Sequence, residues 1–161
     1  MATRATLLPG AAEYPASNFP ALVVVNRRPA LAFDAATDET CYWTLVAPQG
    51  LTGTLTLVIS YIMASATSGA VGFQAAVEAV TDGDATDLDA GTSFDTANSS
   101  SFVTVPGTAG YLDQVSITLT NADSIAAADY VRISLNRDAD NASDTAAGDC
   151  YVLAVELRDG A

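Results

Sequence analysis

From residue 21 onward, hydrophobic and polar residues alternate in short segments that are separated by turn-forming residues. Such alternation predicts β-strands, because successive side chains of a strand point to opposite faces of its sheet. The predicted strands are Ala21–Asn26, Ala30–Asp34, Thr40–Ala47, Thr52–Ile62, Ala70–Val80, Ser101–Val105, Tyr111–Thr120, Tyr130–Asp138 and Asp149–Arg158. The sequence therefore predicts an all-β fold, a single jelly-roll-like antiparallel β-sandwich of about eight strands.

The alternation also assigns side chains to the core or to solvent. Gln74 and Glu78 are expected to face solvent, whereas Trp43 is expected in the core together with Cys41. For Trp43 and the neighbouring Tyr42 the alternative is a sugar-stacking platform, but a lone Trp in an alternating strand favours the core. In the last strand the expected inward residues are Tyr151, Leu153, Val155 and Leu157.

The two cysteines are Cys41 and Cys150. Cys150 is out of phase with the inward residues of the last strand, so it is expected to face away from Cys41. Two free thiols are therefore preferred, because free cysteine behaves as a small buried hydrophobe. A disulfide that closes a long loop is the alternative.

Residues 1–20 differ from the rest because Pro9, Pro15 and Pro20 remove backbone donors and block helix. We therefore divide the chain into an extended N-terminal arm over residues 1–20 and a sandwich domain over residues 21–161. The arm is expected to dock either on a neighbouring subunit or on its own sandwich.

The net charge of −13, with six Arg and neither Lys nor His, excludes several functions. Nucleic acid and anionic membranes would repel such a chain. Without His there is no Ser-His-Asp or Cys-His site and no zinc site that uses imidazole. No signal peptide and no transmembrane segment are expected. We predict a non-enzymatic protein without a cofactor that is synthesised in the cytoplasm.

Two acidic loops are candidate calcium sites, because Ca²⁺ binds six to eight oxygen ligands. The first contains Asp82, Asp84, Asp87 and Asp89. The second contains Asp138, Asp140, Asn141, Asp144 and Asp149. Neither loop has the spacing of an EF-hand, so a solvated acidic loop is the alternative in both cases.

Four segments of the chain carry a resemblance to a known group of proteins. They are residues 33–50 (FDAATDETCYW followed by APQG), 62–71 (IMASATSGAV), 107–119 (GTAGYLDQVSITL) and 137–158 (RDADNASDTAAGDCYVLAVELR). Together they resemble small β-sandwich virion proteins of tailed bacteriophages over about residues 30–158. The resemblance concerns the fold and the general character of the sequence, and it includes no catalytic motif.

The resemblance implies a capsid decoration or cement protein on the virion surface, assembled in the host cytoplasm. Its partners would be the major capsid protein and neighbouring copies of itself in a homotrimer. The expected contact residues are Leu7, Leu8, Tyr14, Phe19, Arg27 and Arg28. The alternative is a carbohydrate- or receptor-binding module at a tail or fibre tip.

Overall fold

The computed structural model describes residues 1–160. These residues contain twelve strands and one 3-10 turn, joined by turns and loops. The strands are β1 (Ala2–Leu7), β2 (Ala21–Val25), β3 (Arg28–Phe33), β4 (Thr40–Val46), β5 (Leu55–Met63), β6 (Ala70–Val71), β7 (Phe73–Val80), β8 (Asn98–Ser99), β9 (Val103–Thr104), β10 (Asp113–Leu119), β11 (Tyr130–Arg137) and β12 (Cys150–Asp159). The 3-10 turn covers Pro9–Ala11. Within this range no helix is long and apolar enough to cross a membrane.

The strands form two main antiparallel sheets. The larger sheet has the order β10-β5-β12-β3-β2, with β1 also paired to β12, and the smaller sheet has the order β4-β11-β7-β8. Strands β6 and β9 form a separate two-stranded pair. The predicted all-β antiparallel sandwich is confirmed, with more strands than the expected eight.

The additional strands have local causes. The predicted strand Ala70–Val80 is split into β6 and β7 at Gly72, where a Cβ would clash with the ring of Phe102. The two-residue strand β8 is too short to produce an alternation, and β1 lies in the proline-containing segment that we predicted as an arm.

The core lies between the two sheets and contains four of the aromatic residues, Phe33, Trp43, Tyr61 and Phe73. Trp43 is 2% exposed, which confirms the core prediction, and its Nε1 donates a hydrogen bond to the carbonyl of Leu8 at 3.0 Å. The rings of Phe33 and Phe73 meet edge to face with centroids 6.0 Å apart. Edge-to-face pairs stabilise a core by more than their buried area alone.

The last strand does not keep the predicted phase. Its register with β5 shifts between Val152 and Ala154, so a β-bulge interrupts the alternation. Cys150 and Val152 are therefore buried, whereas Tyr151 and Leu153 are partly exposed. The expected inward positions of Tyr151 and Leu153 are wrong, and so is the expected outward position of Cys150. Both cysteines are free thiols in the core.

The N-terminal segment is part of the sandwich. Strand β1 pairs with β12 from Ala2 opposite Asp159 to Leu7 opposite Val155. Of the two dockings expected for residues 1–20, the structure contains the one on the chain's own sandwich. Leu7 is only 6% exposed and belongs to the core, which leaves little of its side chain for the expected contact with a partner.

A buried ion pair fixes the long loop between β11 and β12. Arg137 and Asp144 have fully buried side chains, and they meet through two hydrogen bonds at 2.7 and 3.0 Å. Arg137 also donates to the carbonyls of Ala146 and Gly148. The buried guanidinium of Arg137 therefore has a carboxylate and two backbone carbonyls of this loop as hydrogen-bond acceptors.

Replacing Asp144 by Asn is expected to destabilise the fold by about 3–5 kcal/mol, because it leaves the buried guanidinium without its counter-charge. Urea unfolding followed by circular dichroism measures the change. Glu156→Gln is the matched control, since it breaks the more exposed pair with Arg158, whose side chain is 28% exposed. Equal stability of wild type and D144N would contradict the assignment.

A second ion pair ties the first strand to the end of the last one. Arg4 Nε donates to Asp159 Oδ1 at 2.7 Å, and the other carboxylate oxygen accepts from the Thr52 amide at 2.7 Å. The hydrogen bond from Arg4 is the main reason that the pKa of Asp159 lies below its usual value of 3.8. A group whose pKa is lower in the folded state stabilises that state when it is ionised.

The stabilisation from Asp159 is therefore present above pH 3.8 and lost as the pH falls through the lower folded pKa. We expect the stability difference between wild type and Asp159→Asn to be constant near neutral pH and to shrink below pH 3.8. Urea titrations at a series of pH values measure this difference. Asp87→Asn, in an exposed loop, is the control that should show no such trend. A difference that grows in acid would contradict the argument.

Candidate functional site

The outer face of the smaller sheet presents three rows of side chains across β4, β11 and β7. The cross-strand register defines these rows: Thr44–Arg132–Glu78, Tyr42–Ser134–Ala76 and Thr40–Asn136–Gln74. Opposite residues of antiparallel strands point to the same face. We call these nine residues, together with Phe94 from the loop after β7, the binding face.

Aromatic rings and a guanidinium form the centre of the binding face. The rings of Tyr42 and Phe94 lie with centroids 5.7 Å apart at an angle of 30°. The guanidinium carbon of Arg132 is 5.0 Å from the Tyr42 centroid and 5.5 Å from the Phe94 centroid. Both rings are half-buried, and these contacts hold them in a fixed orientation on the sheet.

Two carboxylates flank the guanidinium. Arg132 Nη1 lies 3.6 Å from Glu78 Oε2, and Arg132 Nη2 lies 3.7 Å from Glu13 Oε2. Glu78 is only 1% exposed, because Ser93 covers it and donates both its amide and its hydroxyl to Glu78 Oε1. The expectation that Glu78 is solvent-facing is therefore wrong: it lies on the outer face but under the loop that carries Phe94.

Side-chain amides at the other end of the binding face are available for a ligand. Ser134 is engaged, since its hydroxyl accepts from the amide of Ala76 at 3.0 Å. In the part of the chain that the structure describes, the side chains of Gln74 and Asn136 make no hydrogen bond. Each of these amides offers two donors and one acceptor. The face thus combines ring surface with uncommitted hydrogen-bonding groups.

The first acidic loop holds its aspartates apart. Asp84 accepts from the Thr81 amide at 2.9 Å, and Asp87 accepts from the Asp89 amide at 3.3 Å, so both stabilise local turns. Asp82, Asp84, Asp87 and Asp89 are all exposed. Within residues 1–160, the group of carboxylates close enough to share a cation contains none of these four.

That group consists of Asp38, Asp138 and Asp140, whose oxygens lie within 4.8 Å of one another. Asp138 and Asp140 come from the second predicted loop, and Asp38 joins them from the connection before β4. Asp38 Oδ1 accepts from the amides of Ala139 and Asp140 at 2.8 and 3.2 Å. The cluster therefore fastens two loops together, and it is a structural crosslink made of backbone and carboxylate.

Sequence reasoning missed the contribution of Asp38, Phe94 and Arg132. Asp38 lies 102 residues before Asp140, and no local pattern connects them. Phe94 comes from an irregular loop, and Arg132 meets both rings only after β4, β7 and β11 have paired. The signal that was present is Tyr42, which must lie opposite to the core residue Trp43 because the two are adjacent in a strand.

The residues expected to contact a partner are spread over several places. Tyr14 and Phe19 lie together with ring centroids 5.3 Å apart and are 39% and 43% exposed. Leu8 is 54% exposed and lines a cavity with Pro29 and Leu153. Arg27 and Arg28 are exposed at the turn between β2 and β3, and Arg28 lines a second cavity that also contains Leu153, so Leu8 and Arg28 share this neighbour.

Comparison with known proteins finds no matching family model and no matching curated protein. Among solved structures, one carbohydrate-binding module from the β-sandwich superfamily is 10% identical with a TM-score of 0.49, and the alignment covers 93% of this chain but 58% of that one. A xylan-binding module is 12% identical with a TM-score of 0.46 and coverage of 93% and 91%. A module specific for non-crystalline cellulose is 11% identical with a TM-score of 0.45 and coverage of 94% and 89%. The similarity concerns the fold.

Proposed function

We propose that this chain is a non-catalytic carbohydrate-binding module that holds its ligand on the binding face. The observation that carries the proposal is the Tyr42–Phe94 ring pair, fixed by Arg132, beside the unpaired amides of Gln74 and Asn136. A sugar has apolar ring faces that pack on aromatic rings and hydroxyl groups that exchange hydrogen bonds with amides. The binding face offers both kinds of contact on one rigid sheet.

The charges of the binding face favour a neutral polysaccharide. Arg132 is the one cation of the three rows, and it is flanked by Glu13 and Glu78. Within the binding face the charges of Arg132 and Glu78 therefore cancel, whereas the adjoining Glu13 and the whole chain, with −13, are negative. An acidic polysaccharide would be repelled at both ranges. Neutral xylan and soluble cellulose derivatives are the appropriate first ligands.

Replacing Tyr42 by Ala is expected to weaken polysaccharide binding by about tenfold, because the stacking surface and the support for Phe94 are both lost. Isothermal titration with soluble oligosaccharides measures the affinity. Tyr42→Phe keeps the ring and should bind nearly as well as wild type.

Tyr111→Ala is the matched control, because Tyr111 is 63% exposed and lies in the loop before β10, outside the three rows. Circular dichroism verifies that each variant is folded. Wild-type protein that binds none of a panel of neutral polysaccharides would refute the proposed function, and so would equal binding by wild type and Y42A.

A second candidate function is attachment to a capsid as a decoration protein, with the major capsid protein as its partner. The observation that favours it is an apolar surface around Leu153, which lines one cavity of about 460 Å³ with Leu112 and another of about 360 Å³ with Leu8. Leu8 and Leu112 are 54% and 63% exposed. Exposed apolar patches of this kind are typical of protein contact sites.

For this second function we expect about one copy of the chain per shell subunit in purified virus particles. Quantitative mass spectrometry measures the ratio. Leu112→Ser should then reduce the copy number, whereas Leu88→Ser, which alters another half-exposed leucine, should not. Absence of the protein from the particles would exclude the virion role.

A further inference from the structure

Strand β2 is an open edge of the larger sheet. It pairs with β3 on one side, and within residues 1–160 no strand pairs with its other side. The edge of β4, by contrast, is covered by the N-terminal segment, where Glu13 bonds with Tyr42 and Asn18 accepts from Thr40. Proteins usually shield an apolar edge strand with charges, proline or a covering segment, because its unpaired backbone groups bind other strands.

The turn between β2 and β3 shows which backbone groups are unpaired. Asn26 and Arg27 have φ values of 45° and 68°, as a two-residue hairpin turn of type I′ requires. The flanking residues Val25 and Arg28 then form a hydrogen-bonded pair, and the bonding alternates along the strand. The N–H and C=O groups of Leu22 and Val24 therefore point away from β3. Consistently, the residue opposite Val24 is Pro29, which has no N–H.

The side chains of β2 add an apolar surface to this edge. Leu22 lies opposite Leu31, a fully buried core residue, so Leu22 and Val24 continue the inner face of the larger sheet. Nevertheless they are 53% and 72% exposed. The apolar inner face thus extends beyond the part that the smaller sheet covers.

The two ends of the β2–β3 hairpin carry opposite charges. Arg27 and Arg28 lie at the turn. At the other end, Asp34 follows β3, and its amide donates to Glu39 at 2.8 Å. Burial and the neighbouring Asp34 and Asp149 raise the pKa of Glu39, which shows that several acidic groups lie close together at this end.

We propose that β2 pairs antiparallel with β2 of a second copy of this chain, around a two-fold axis at Val23. In this register Leu22 of each copy lies opposite Val24 of the other, so the outward backbone groups form four hydrogen bonds. Leu22 and Val24 of both copies then make one apolar cluster on the inner face.

A second copy fits this edge better than an unrelated strand because the hairpin is complementary to itself. A two-fold axis brings the same surface together twice, so each attractive contact occurs in duplicate. The basic turn of one hairpin lies beside the start of the other copy's β2, which is the end that carries Asp34 and Glu39. In a chain with a net charge of −13, this pairing places the sparse arginines against acidic groups rather than against each other.

Sedimentation equilibrium over a range of protein concentrations tests the proposal. We expect the mass of two chains for wild type. Val24→Lys should raise the dissociation constant about tenfold or more, since a lysine at an edge strand opposes pairing. Val46→Lys is the matched control, because Val46 is 67% exposed on β4, and it should leave the dimer unchanged.

Hydrogen exchange provides a second readout that does not depend on a variant. The amides of Leu22 and Val24 should become protected as the concentration rises, while the amide of Val46 should not change. A mass of one chain or of three chains at all concentrations would overturn the proposal, as would fast exchange of both amides in a dimer. Tyr42→Ala should keep the dimer, so the outcome is independent of carbohydrate binding.

Discussion

The larger sheet depends on the pairing of β12 with three other strands. On one side β12 pairs with β5 along nearly its whole length, and on the other side it pairs first with β3 and then with β1. The β-bulge near Leu153 separates the β3 part from the β1 part. Because bulges increase local twist and bend a strand, this one directs the second half of β12 away from β3 and leaves room for β1. The first and the last strand are thereby fixed in one sheet.

Charged groups stabilise the connections between the strands. The fully buried Arg137 donates hydrogen bonds to Asp144 and to two loop carbonyls. Asp38 accepts hydrogen bonds from the amides of Ala139 and Asp140, which lie 101 and 102 residues later in the chain. Glu78 does the same for the loop that carries Phe94. Several of the 19 acidic residues thus accept hydrogen bonds from backbone amides. The acidic composition that suggested a calcium site therefore also has a structural explanation, since carboxylates satisfy loop N–H groups that strands cannot reach.

The sequence predicted those features that repeat along a strand and missed those that depend on distant contacts. The strands from β2 to β5 and from β10 to β12 were found because one face of each is buried and the alternation is visible. The phase of β12 was wrong because one bulge at Leu153 reverses every side chain before it. The burial of Glu78 and the position of Asp38 were missed because a loop and a distant segment, rather than the local pattern, create them. Tyr42 was considered, yet its partners Phe94 and Arg132 meet it only in the folded chain.

The two proposed surfaces are compatible because they use different parts of the sandwich. The binding face lies on the outer side of the smaller sheet, whereas β2 is an edge of the larger sheet, so pairing through β2 leaves Tyr42 and Phe94 accessible. A two-fold dimer would then present two binding faces to one polymer. Since the second binding event becomes intramolecular, the dimer would retain a repetitive polysaccharide far longer than one module does. On these two proposals, a dimer would need only weak contact at each ring pair to stay bound to a polymer.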